Sequence, residues 1–164
     1  MSAKAAFSPK KVHGIPIGMP FVQLTLELLN SPAWRARSIN CIRLIDFLLI
    51  RHMQHGGSEN GQLVATYDEL VEHGIARRLV HKTIQEAESL NLIRVERGGR
   101  KGYAQNYCSK FRLTFLVERL IDAKKIVYFG TPTNEWRKIT PGQAAAIANK
   151  KPEKFKIEGY ESEP

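Results

Sequence analysis

The stretch TYDELVEHGIARRLVHKTIQEAESLNLI, Thr66–Ile93, carries two helical patterns separated by one glycine. Thr66 and Glu69 stand three residues apart, just ahead of Leu70 and Val71. At that spacing each side chain can satisfy the other's free backbone amide at a helix start. Gly74 ends this first helix, because glycine adopts a left-handed backbone without a Cβ clash. A second helix begins around Ala76 and closes at Asn91. Val80, Ile84 and Ala87 recur on one face, with Leu79, Thr83 and Leu90 beside them. Arg77, Arg78, His81, Lys82 and Gln85 occupy the opposite face. This periodicity predicts two amphipathic helices that turn their apolar sides into one core.

The flanks supply the rest of a small fold. Leu92 to Arg97 alternates as a half-exposed strand does, and Phe111, Leu113 and Phe115 alternate with Arg112 and Thr114 as its partner. Between them, Gly98-Gly99-Arg100-Lys101-Gly102 reads as a flexible basic loop. Upstream, Ser38 to Gln54 is the most apolar segment, with a narrow polar stripe through Asn40, Arg43, Asp46 and Arg51. It predicts a helix buried on most sides, stopped by His55-Gly56-Gly57. Ser58 to Gly61 reads as a polar turn and Leu63 to Ala65 as a short strand. Ser31-Pro32 marks a helix start with Trp34 one turn in, and the apolar segment Phe21 to Leu29 should pack on the helices after it. Past Phe115, Leu116, Val117, Leu120 and Ile121 fit a short amphipathic helix. Ile126 to Phe129 fits a strand, and Trp136 is an anchor.

Helix, short strand, helix, glycine turn, helix, strand, basic loop, strand is the order of a winged helix-turn-helix. The expected fold is mainly α with a small β wing: a three-helix core plus a two- or three-stranded antiparallel sheet. The chain divides into a flexible basic arm over 1–20 and a winged-helix domain over 21–116. An extension with a candidate homodimer contact at Leu116 to Ile121 occupies 117–140, and a flexible tail 141–164.

The 164 residues include 25 Lys plus Arg against 16 Asp plus Glu, a net charge of +9. A surplus of that size points to a polyanionic partner. From Ile75 to Arg112 there are nine basic residues and three Glu, so two thirds of the surplus falls in under a quarter of the chain. Asp46 interrupts the strongest apolar run, Leu44 to Ile50, so no segment reads as a membrane span. Pro16, Gly18 and Pro20 break up any secretory h-region. Two cysteines, Cys41 and Cys108, without a CxxC, exclude a disulfide framework and a zinc ribbon. The expected location is the cytoplasm, in association with the nucleoid.

A helix about 10–12 Å across fits a DNA major groove about 12 Å wide. Arg reads guanine and Gln reads adenine through paired hydrogen bonds. The second helix therefore reads as a recognition helix using Arg77, Arg78, His81, Lys82 and Gln85. Arg97, Arg100 and Lys101 read as a wing that meets phosphate or the minor groove. The expected partner is double-stranded DNA, and the expected role is transcriptional control, with replication-associated binding as the alternative.

Phe21-Val22-Gln23-Leu24, then Glu27-Leu28-Leu29-Asn30-Ser31-Pro32-Ala33-Trp34-Arg35-Ala36, then Asn60-Gly61 resemble a run found in bacterial winged-helix proteins. These are of the plasmid or phage replication-initiator and regulator type. Glu88-Ser89-Leu90-Asn91-Leu92-Ile93 is similar to their exit from the recognition helix. The resemblance covers roughly residues 21–115 and implies a DNA-binding N-terminal domain. The chain departs from that pattern in two ways. Ala76 stands where such proteins often have a capping Ser, and 49 residues follow Phe115, short for an initiator's second large domain. The second departure favours a regulator over a complete initiator.

Other readings of the same residues are plainer. A basic helix face can be merely solvated, a charged ribbon tip is routine, and some winged helices bind acidic protein partners through this face. RNA binding lacks an aromatic ribbon. His52 and His55 form an HxxH without further ligands of convincing spacing, so no metal is expected. Cys41 reads as a packing residue, and Trp34 and Trp136 as core anchors. The glycines at 98, 99 and 102 lack the order of a phosphate-binding loop. No catalytic constellation and no cofactor motif is present, so the chain reads as a non-enzyme.

Overall fold

The computed structural model describes residues 11–12, 15–16, 18–98, 100–101, 105–106, 108–121 and 127–149. Most of the arm expected over 1–20, and residues 150–164, lie outside the described residues. In chain order the first elements are β1 (Lys11–Val12), β2 (Ile15–Pro16), α1 (Leu26–Asn30), α2 (Pro32–Arg35) and α3 (Ile39–Gln54). Then come β3 (Leu63–Val64), α4 (Tyr67–Glu72), α5 (Arg77–Ser89), β4 (Ile93–Glu96), β5 (Arg100–Lys101) and β6 (Gln105–Asn106). The last are β7 (Lys110–Leu113), β8 (Arg119–Ile121), β9 (Val127–Phe129), a 3-10 turn (Glu135–Lys138) and α6 (Pro141–Ala148). The described residues thus combine six α-helices with a three-stranded antiparallel sheet of order β3-β7-β4 and separate two-stranded ribbons.

Local sequence accounts for the helix boundaries. Ser31 serves two helices: its hydroxyl donates to the Leu28 carbonyl (2.7 Å) and accepts from the Trp34 amide (3.2 Å). The Thr66 and Glu69 capping box forms at the start of α4. Gly74 lies just after α4 at φ +91°, where the amide of Ile75 reaches the Leu70 carbonyl and that of Gly74 reaches Val71. Asn91 does the same after α5 at φ 54°, with Leu92 bonded to Ala87 and Asn91 to Glu88. Both ends are Schellman closures that satisfy the last carbonyls.

Packing fixes α5 in place. Leu44, Ile45 and Leu48 of α3, Val80, Ile84 and Ala87 of α5, Ile93 of β4, and Phe111 and Leu113 of β7 belong to one buried cluster. Two polar ties reinforce the α3–α5 contact. The Glu86 carboxylate accepts from the backbone amide and the hydroxyl of Ser38, each at 2.7 Å. Arg43 donates to the Gly74 carbonyl at 2.5 Å and so clamps the α4–α5 corner.

Four expectations are corrected. The segment Leu116 to Ile121 is no helix: Arg119–Ile121 is a strand, paired Arg119↔Phe129 through Ile121↔Val127. The reason is Asn60, which is buried and donates to the carbonyls of Leu113 (2.9 Å), Leu116 and Val117 (3.1 Å each). The Arg119 amide donates to the Asn60 backbone carbonyl at 2.8 Å, so it is not available for a helical bond to the carbonyl four residues back. The expected tail begins as α6, started by a Thr140/Gln143 capping box with Pro141 in the first turn. It buries Ala144 in the common core. The central helix α3 is less enclosed than its composition suggests, since Ile39 and Ile50 are 62% and 41% exposed. Phe21 to Leu29 packs mainly through Leu28, while Phe21, Leu26 and Leu29 remain exposed.

Candidate nucleic-acid interface

Helix α5 presents one wholly polar face. Arg77, Arg78, His81, Lys82 and Gln85 are all exposed, whereas Val80, Thr83, Ile84 and Ala87 are buried beneath them. Thr83 tolerates burial because its hydroxyl donates to the Leu79 carbonyl at 2.8 Å. Ala76 at the N-cap supplies no side-chain hydrogen bond, so the helix start lacks the capping group that a Ser would bring.

The cations of this region are not equivalent. Arg77 forms an ion pair with Asp68 of α4. Arg97, just after β4, forms one with Glu88 near the end of α5. Among the described residues Arg78 and Lys82 have no ion-pair partner. Arg94 and Arg112, counted from sequence within the basic stretch, converge on Glu135 of the 3-10 turn, and Arg112 also reaches Glu118 at 2.6 Å. The Arg94 guanidinium hydrogen-bonded to Glu135 holds that carboxyl below the usual range. Several cations of the basic stretch are therefore already paired with carboxylates in the fold. No local signal marks Glu135 as a partner of residues 41 and 23 positions away.

Arg100 and Lys101 pair with Asn106 and Gln105 in an antiparallel ribbon. Only their backbone is described, and Gly99 and Gly102 of the expected basic loop lie outside the described residues. The ribbon's base is tied down where the Gly98 amide donates to the Ser109 hydroxyl at 3.1 Å.

The remaining polar candidates have local explanations. His52 is buried in α3 and burial lowers its pKa, while His55 is exposed at the helix end. Among the described residues no three His, Cys, Asp or Glu side chains gather to hold a metal ion. Cys41 is fully buried and burial pushes its thiol up; Cys108 is exposed. Trp136 is 2% exposed and donates to Asn134 Oδ1 at 3.1 Å. Trp34 meets Phe115 edge-on with ring centroids 5.6 Å apart, under the Arg37 guanidinium at 3.5 Å. A cleft of about 370 Å³ borders Arg51, Thr66 and Glu69, but Arg51 is already paired with Glu69 there. Among the described residues no helix is long and apolar enough to cross a membrane.

Sequence reasoning identifies five exposed residues of α5, beside which Ser89 is also exposed. It misses the acidic partners Asp68, Glu88 and Glu135 and the buried Asn60. Asp68 is visible in principle, since it falls in the first turn of the preceding helix and Arg77 begins the next. Comparison with protein-family models, with curated proteins and with solved structures finds no match to this chain.

Proposed function

We propose that this protein binds double-stranded DNA as a winged helix-turn-helix, with α5 as the major-groove helix and the β5–β6 ribbon as the wing. One observation carries the reading: Arg77, Arg78, Lys82 and Gln85, with the His81 imidazole among them, leave the same side of a helix that is tied to its support. At 13 residues α5 is about 20 Å long, enough to lie across several base pairs. Arg78, Lys82 and Gln85 offer groups that match phosphate or base edges. The ties from Glu86 to Ser38 and from Arg43 to Gly74 favour a rigid presentation, and a pre-organised face binds with less ordering cost. A role in transcriptional control is the biological setting this reading favours.

The test is selection from randomised duplexes above physiological salt, where binding by charge alone is suppressed. A specific DNA-binding protein enriches a motif. Arg77→Ala should then weaken binding to that motif by about 1–3 kcal/mol. Arg100→Ala should weaken binding to all sequences alike and flatten the salt dependence by about one unit. A chain that binds acidic proteins instead will enrich no motif, and that result rejects the proposal.

A further inference from the structure

The pair between Asp68 and Arg77 sits at the corner of the candidate interface rather than in its support. Asp68 lies in the first turn of α4 and Arg77 is the first residue of α5, so the contact spans the Gly74 turn. Both side chains stay open to solvent, at 78% and 65%. Arg77 engages Asp68 through Nη1 alone, and its Nε and Nη2 donors have no partner among the described residues. A cation at a helix N-terminus is opposed by the helix dipole, and a neighbouring carboxylate offsets that opposition.

A guanidinium held at one nitrogen has lost part of its rotamer freedom before any ligand arrives, so a second, directional contact orders it at smaller cost. The free donors keep the fork geometry that fits the O6 and N7 acceptors of guanine. The Asp68 carboxylate, in contrast, repels a phosphate brought up to the same site. Arg78 and Lys82 carry no such companion and are the groups suited to backbone contact.

Resting on the duplex-DNA reading above, we infer that Asp68 is a positioning residue that reserves Arg77 for reading a guanine. It discourages Arg77 from binding phosphate without regard to sequence. The device separates the cations of α5 into one reader and several general anchors.

The experiment uses the full chain. Randomised-duplex selection is followed by binding to the selected duplex and to its single-base variants. The proteins are the native chain, Asp68→Asn, Asp68→Glu, Arg77→Ala and the Asp68→Asn/Arg77→Ala double variant. Thermal melting shows that each is folded. The native protein should prefer guanine at one position by about tenfold, and Arg77→Ala should abolish that preference. Asp68→Asn should cut the preference by about threefold or more, while binding to scrambled duplex tightens and its salt slope steepens by about one unit. Asp68→Glu should restore most of the preference. In the Arg77→Ala background, Asp68→Asn should leave base preference at that position unchanged.

An enriched motif whose guanine preference is the same in Asp68→Asn overturns this inference alone. So does a change of equal size with Arg77 already removed, because Asp68 would then act through something else. If the native chain enriches no motif, the duplex-DNA reading fails and this inference goes with it.

Discussion

Gly74 and His52 show how much single residues constrain this protein. Gly74 holds φ +91°, and a Cβ placed there would lie 3.5 Å from the Arg43 guanidinium carbon. Gly74→Ala should therefore cost about 1–2 kcal/mol through the left-handed backbone alone, read as a lower midpoint in urea unfolding. His52 is buried, and among the described residues its Nδ1 has no hydrogen-bond partner. Burial disfavours its charged form, so its pKa in the folded chain lies below the unfolded value of 6.5. The unfolded state takes up the proton first, and stability must fall as pH drops below 6.5. His52→Leu removes both the orphaned nitrogen and the titration. Its urea midpoint should match or exceed that of the native chain at neutral pH and should change less on acidification to about pH 5. A native-like acid sensitivity in His52→Leu would assign the effect to other groups. Glu135 and Glu27 titrate lower. Arg94 and Arg137 hold their carboxyls below 4.5, so the stability they lend is present above that value and lost only as pH falls through their depressed folded values.

At the scale of elements, α5 is held unevenly. Its C-terminal end has a full Schellman closure at Asn91, while its N-terminal end has no side-chain cap at Ala76. Ala76 is exposed and its backbone is already extended, at φ −57° and ψ 132°. Ala76→Ser should add a cap without rearrangement and stabilise the chain by about 0.5–1 kcal/mol, seen as a raised thermal midpoint. No gain would mean that another group already satisfies the first amides of α5. The β8 strand teaches the opposite lesson about local pattern. Leu116, Val117, Leu120 and Ile121 suit a helix by spacing, but the Arg119 amide donates to the Asn60 carbonyl and Arg119 to Ile121 pair with Val127 to Phe129. A residue 56 positions upstream of Leu116 outweighs the local periodicity. The start of α6, in contrast, is legible in the chain, since Thr140-Pro141-Gly142-Gln143 has the same capping spacing as Thr66 to Glu69. Its Lys- and Pro-rich surroundings mask that signal.

Across the whole molecule, the region after β9 belongs to the same core as the helices. Trp136, Ile139 and Ala144 join the buried cluster that contains Leu28, Ala33 and Leu44. Trp136→Ala should destabilise the protein by about 3–5 kcal/mol, measured by equilibrium unfolding. A loss under about 1 kcal/mol would mean that this region merely rests on the surface. Electrostatics also differ at this scale. Arg94 and Arg112 look like part of a basic patch in the linear chain, yet folding brings Glu135 to both.

What the amino-acid order alone determined is the set of features that repeat over a few residues. These are the amphipathic faces of α4 and α5, their caps, the Gly74 turn and the alternation of β4 and β7, because each depends on neighbours one to four positions away. It also determined that Arg77, Arg78, His81, Lys82 and Gln85 leave the outer face of α5. Only the tertiary structure decided which cations remain unpaired, which carbonyls Asn60 captures and where α6 packs. Those outcomes depend on groups that are remote along the chain and meet only after it folds, and no local periodicity records such meetings.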